Sequence, residues 1–372
     1  MSKSHVLYFS LMYFLIGMIH TFVGSFNQFL KIELNMNQSD VSNLISIQFI
    51  SFMAGVFHSI FLVNKDIKKF FKITHLSILL IASVFLISEY YLIVYLVVAI
   101  LGFCAGFIES SIASYIFNTK FESAKTFGYI ESFFAIGSFL LPMIVKIFEY
   151  HSDTKYAIIF ILIMNIISFF ILYSIEFELS SSDRYKIPRP SFNKKSMLVI
   201  IILTWCFFYI SIETNFSNLL PYINLVSDKF SYITVSIFWI GIIIGRFLYT
   251  LILPIIRFRL ETLLLAYTVI SLFLYIMLIY LNTQDEIRLI ILFLLTLFLA
   301  PMFPLGASII NQHSNNKSLF TSIFIAVAGC GGAIGAVIIK TALSIHIPVY
   351  LSILLILITC LFLNTIILKT SK

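Results

Sequence analysis

Apolar stretches of roughly 20 residues, the length of helix that crosses a hydrocarbon layer, follow one another along this chain with short polar breaks between them. The stretches are continuous rather than alternating. Helices are therefore expected instead of barrel strands, each satisfying its own backbone polar groups in lipid. The pattern predicts twelve spans, at 6–30, 42–63, 71–88, 91–118, 124–147, 155–177, 197–226, 231–254, 260–281, 286–310, 317–344 and 346–368. The one long polar break, 178–196, is basic and carries prolines, as a linker between two bundles of six does. The predicted fold class is an all-α integral membrane protein, with a six-helix bundle over 1–177, a cytoplasmic linker over 178–196 and a second bundle over 197–372.

Composition agrees with a membrane solvent: 60% of the 372 residues are hydrophobic and 11% charged, and the mean hydropathy is +1.04, beyond any soluble globular composition. Little chain is left for a water-soluble domain. Lysine and arginine exceed the acids, 24 to 17, but this surplus is no nucleic-acid signal. Seventeen of the basic residues fall on the N-terminus, the even-numbered loops and the C-terminus, and six on the opposite side. That bias places both termini and the linker in the cytoplasm. The cysteines Cys104, Cys206, Cys330 and Cys360 lie inside apolar runs without metal or redox spacing and read as packing residues. The first span begins almost at residue 1 with no small-residue cleavage site, so it reads as a retained helix.

The two halves resemble each other. Ile19-His20-Thr21 lines up with Ile212-Glu213-Thr214, and Ser46, Ile47, Phe49, Gly55 and Phe57 line up with Ser236, Ile237, Trp239, Gly245 and Phe247. A parallel repeat of six spans joined by a basic linker is a pattern of secondary transporters, whose site lies near mid-membrane where the repeats meet.

Ionisable residues inside the spans are functional-site candidates by default, since each costs at least ~2.5–3.5 kcal/mol to insert. Glu109 lies in span 4 among Gly102, Gly106, Ser110, Ser111 and Ser114. Low dielectric disfavours the charged form of a carboxylate, which suits the residue to taking up and releasing a proton. Glu131, nearer the cytoplasmic end of span 5, is the second proton-coupling candidate. Glu213 sits near the middle of span 7, followed by Asn215 and Asn218; at 3.6 residues per turn it points about 160° away from Asn215. All three reach one cavity only if the helix unwinds near Pro221.

His20, at the level of Glu213 in the repeat, is a candidate ligand or proton relay. Gln28 and Gln48 supply the paired donors and acceptors that a polyhydroxylated substrate needs, or interhelical hydrogen bonds. Arg246, toward the cytoplasmic end of span 8, is expected to pair with an acid or a helix end and hold a gate or bundle terminus. Gly241/Gly245 and Gly331/Gly335 have the spacing of close-packed helix faces, and Pro301/Pro304 predict a kink in span 10.

No phosphate loop, metal-ligand cluster or nucleophile motif is present in the sequence, so the reading is a transporter and not an enzyme. It has no cofactor and is driven by a proton gradient. Its partners are a small neutral solute, protons and the lipid bilayer, with no nucleic acid, and it is expected to be a monomer in the plasma membrane.

The stretches GFIESSIASYI, FGYIESFFAIGSFLLP, SIETNFSNLLPYI, SIFWIGIIIGRF and APMFPLGASI resemble the fucose–galactose–glucose:proton symporter branch of the major facilitator superfamily. The span 7 and 8 stretches are the most specific and look nearly the same as those of its glucose/mannose symporters. The resemblance implies the major facilitator fold, alternating access, and a hexose carried with a proton. The branch's span 4 protonation site falls on Glu109, and a span 5 amide of its fucose member falls on Glu131. That member's span 1 aspartate has no acid here, only His20 nearby. A proton-driven exporter of drugs or a metabolite is the alternative on the same scaffold, since fold does not decide direction or substrate. A non-transporting receptor comes third.

Overall fold

The computed structural model describes residues 2–62, 66–87, 90–118, 123–151, 153–177, 194–219, 228–255, 257–281, 284–314, 316–344 and 348–371. Two compact units divide the chain, Met1–Phe121 with Phe133–Arg189, and Glu122–Ser132 with Pro190–Lys372. The described residues of the first unit form α1 Lys3–His20, α2 Phe22–Ser25, α3 Asn27–Ile32, α4 Gln38–Leu62, α5 Ile67–Ile87, α6 Tyr91–Asn118, most of α7 Ser123–His151, and, after a single 3₁₀ turn, α8 Ile158–Tyr173. The second unit takes the start of α7, up to Ser132. It adds α9 Lys194–Leu219, α10 Asp228–Ile252, α11 Leu260–Tyr280, α12 Asp285–Leu299, α13 Met302–His313, α14 Lys317–Ser344 and α15 Val349–Thr370.

Ten helical stretches among the described residues are long and apolar enough to cross a membrane. Two more spans complete the expected twelve: the interrupted α1–α3, and α14, whose apolar stretch Leu319–Gly335 is shorter. Large apolar side chains such as Leu80, Phe170, Phe273 and Phe362 stand exposed, as faces solvated by lipid do.

The first span is not the single helix that 6–30 predicts. It breaks at Thr21 and again at Phe26. The Thr21 hydroxyl donates to the carbonyls of Gly17 and Met18, and Ser25 to the carbonyl of Thr21, side-chain bonds that compete with the helical ladder. The carbonyls of Ile19 and His20 are met by the Gln48 amide on α4, at 2.7 and 3.2 Å. Span 10 breaks where its prolines predict, α12 ending at Leu299 and α13 opening at Met302.

Within each unit the packing repeats. A Cβ on Gly137 of α7 would overlap the carbonyl of Phe14 on α1, and one on Gly331 of α14 would overlap the carbonyl of Phe207 on α9. Gly55 of α4 meets the Phe103 carbonyl on α6 as Gly245 of α10 meets Leu297 on α12. Side chains of this size let backbones touch where no hydrophobic force draws helices together. Buried amides tie the same pairs of spans. Asn165 on α8 accepts from His75 Nδ1 on α5 at 2.7 Å and donates to its carbonyl, while Asn364 on α15 donates to Thr268 on α11 at 2.6 Å. Basic residues cap the last helices, Lys68 on the carbonyls of Tyr173 and Ile175 and Arg259 on that of Ser371, where cations complement the helix dipole.

Candidate functional site

The small residues of span 4 explain where Glu109 lies. Gly102 and Gly106 bring α6 against the backbone of α4 at Gln48 and Phe52, and Ser59 donates to Ser110 across the same seam at 2.7 Å. Glu109 is 6% exposed. Its backbone carbonyl accepts from the Tyr13 hydroxyl of α1 at 3.3 Å. Its carboxylate faces His20, with Nε2 to Oε2 at 3.9 Å.

His20 is the last residue of α1, placed there by the break at Thr21. Its ring is held edge-on by Phe49 and Phe52 of α4 and Phe134 of α7, at centroid distances of 5.9, 5.0 and 5.1 Å. The pair can hold a proton on either group. At 3.9 Å it exceeds hydrogen-bond length, so direct transfer needs a small approach or one bridging water.

Gln48 is buried and holds the broken end of α1 through its amide nitrogen. Gln28 is exposed and lines a cleft of about 650 Å³ with Ser25, Phe29, Glu33, Asp153 and Thr154; neither His20 nor Glu109 lines that cleft.

The second unit holds another cluster. Arg246 on α10 reaches Glu213 Oε1 on α9 at 2.7 Å and Glu131 Oε2 on α7 at 3.1 Å, and its NH1 also donates to the Glu131 carbonyl at 2.9 Å. All three side chains are buried. A guanidinium presents its donors in a planar fork that two carboxylates can engage at once. The acid expected for Arg246 is thus two acids. The side chains of Asn215 and Asn218, and residues 220–227 where Pro221 would unwind the helix, lie outside the described residues.

The structure therefore sorts the candidate residues into two sets. His20 and Glu109 meet in the first unit, while Glu131 meets Glu213 and Arg246 in the second. Sequence reading missed the aromatic ring around His20, for which the one local signal is Phe49 and Phe52, three apart on a helix and so on one face. It also missed the Glu131–Arg246 pair, whose members are 115 residues apart. The hint available was that Arg246 is the single basic residue set within the predicted spans away from their ends.

Residues 9–336 match the family model of the Major Facilitator Superfamily. This chain belongs to that superfamily. A curated relative, the glucose/mannose transporter GlcP of Bacillus subtilis (strain 168), is 30% identical over 362 residues, covering 89% of this chain and 86% of GlcP. Among solved structures, the superfamily transporter FucP in its outward conformation aligns over the whole of both chains with a TM-score of 0.74 at 15% identity. The proton:xylose symporter XylE, bound to 6-bromo-6-deoxy-D-glucose, aligns over 98% of this chain and 95% of its own with a TM-score of 0.76 at 13% identity. Those two likenesses establish the major facilitator fold, and the protein is a multi-pass membrane protein of that class.

Proposed function

We propose that this protein imports a hexose, of the glucose or mannose type, together with protons by alternating access. The observation that carries the reading is a buried carboxylate, Glu109, set 3.9 Å from a histidine ringed by aromatic side chains. The similarity to a glucose/mannose transporter over 89% of the chain supports the choice of substrate. Glu109 takes a proton from outside, His20 relays or stabilises it, and Glu131 is the second proton-coupling acid. His20, Gln28, Asn215 and Asn218 supply the sugar's hydrogen-bond partners, Gln48 holds the broken end of α1, and Arg246 holds Glu131 and Glu213 in place.

Coupling requires that the sugar bind the protonated and deprotonated forms with different affinity, because a ligand indifferent to the two states shifts nothing. One proton moving down the membrane potential supplies about 2.3 kcal/mol per 100 mV, enough to concentrate a neutral solute. In this reading the protein lies in the plasma membrane as a monomer with both termini and the linker cytoplasmic. It works without a cofactor and catalyses no chemical conversion.

The test is uptake of radiolabelled glucose, with mannose and fucose as competitors, into proteoliposomes under an inward proton gradient. Accumulation abolished by a protonophore is the expected result. No uptake in either orientation overturns the reading and turns attention to efflux of drugs and metabolites.

A further inference from the structure

The cluster in the second unit has more acid than base. Glu131 and Glu213 both face one guanidinium, Arg246, and all three are at most 6% exposed. Glu131 Oε1 accepts no hydrogen bond among the described residues although it is buried. Among the described residues, the other titratable groups facing the cluster, Tyr209 and Cys206 on α9, carry no charge at neutral pH. Fully ionised, the cluster carries one uncompensated negative charge in the membrane interior, which is strongly disfavoured. One proton removes it, and the unpartnered Glu131 oxygen is a place for that proton to sit. Two acids sharing a site titrate as a pair and not as separate residues.

We propose that Glu131 and Glu213 hold one proton between them against Arg246, as a second proton-binding site beside Glu109, so that two protons move with each sugar. The second part rests on the symport reading; the shared proton does not. Arg246 is the positioning residue that sets the number at one, since a single guanidinium balances a single carboxylate. Glu131→Gln or Glu213→Gln each leaves one acid matched to one base, with similar shape, and each should remove the need for the proton.

The experiment holds a membrane potential across proteoliposomes without a pH gradient and finds the radiolabelled-glucose gradient at which net flux stops. At about 60 mV, one coupled proton sustains a tenfold gradient and two sustain a hundredfold gradient. A hundredfold gradient for the native protein and a tenfold one for both E131Q and E213Q is the expected result. A tenfold native gradient, or a hundredfold gradient kept by either variant, overturns the two-proton coupling. Infrared spectroscopy of the purified protein gives a readout that needs no sugar. The carbonyl stretch of a protonated carboxyl should persist in E109Q and disappear when Glu131→Gln or Glu213→Gln is added to that variant. A band that E109Q alone removes overturns the shared proton. Native protein that keeps the band in the expected pattern yet moves no sugar supports the site and overturns the transport reading instead.

Discussion

At the scale of single residues, the proposed chemistry of this protein turns on how its buried polar side chains are paired. Glu109 and His20 face each other at 3.9 Å in an aromatic surround. Glu109→Gln keeps the shape and removes the titration; with the second proton site intact it should lower the labelled-glucose gradient sustained at about 60 mV from about a hundredfold to about tenfold, while leaving sugar counterflow, which needs no net proton movement. Loss of both would assign Glu109 to binding alone. Gln48 is a different case. Its amide nitrogen satisfies the two carbonyls that the break after His20 exposes, and an unsatisfied buried acceptor costs ~1–3 kcal/mol. Gln48→Ala should therefore lower the melting temperature of the detergent-purified protein, whether or not sugar is present. An unchanged melting temperature would leave Gln48 to the substrate. The candidate acids were legible in the sequence because a carboxylate in an apolar run stands out against its neighbours. The donor that Gln48 supplies was not, because it acts across 28 residues of chain.

At the scale of helices, the packing follows from side chains small enough to let backbones meet. A Cβ at Gly55 or Gly137 would overlap a carbonyl of the facing helix, so Gly55→Val or Gly137→Val should abolish monodisperse protein in size-exclusion chromatography, whereas an exposed lipid-facing change such as Leu80→Val should not. The two amide ties differ in number of bonds. Asn165 makes two bonds to His75, while Asn364 makes one and its Oδ1 has no partner among the described residues. Interhelical bonds in membranes contribute about 0.6–2 kcal/mol each. Asn165→Leu should accordingly lower the melting temperature more than Asn364→Leu; equal losses would mean that burial, not the bonds, sets the stability. Hydropathy located the spans, and the prolines of span 10 marked its break, since both act on their own segment. The break in span 1 was hidden, because the Thr21 hydroxyl disturbs the ladder only where Gln48 of another helix donates to the freed carbonyls.

At the scale of the whole molecule, the basic-residue bias predicts that both termini face the cytoplasm. An impermeant thiol reagent should label Lys3→Cys and Lys369→Cys in inside-out vesicles and neither in sealed right-side-out ones. Labelling from outside would reverse the assigned orientation. Sequence alone determined the solvent, the number of spans, the two-fold repeat and the list of ionisable residues, because transfer of a segment into lipid depends on that segment's own composition and on the charges at its ends. The family resemblance was likewise carried by short local stretches. Tertiary structure decided the partnerships. It set His20 against Glu109, and it joined Glu131 to Glu213 and Arg246, residues that no local pattern connects. Charge pairing depends on distance in space, and that distance is fixed by which helices touch, at which turn, through glycines whose partners lie far along the chain.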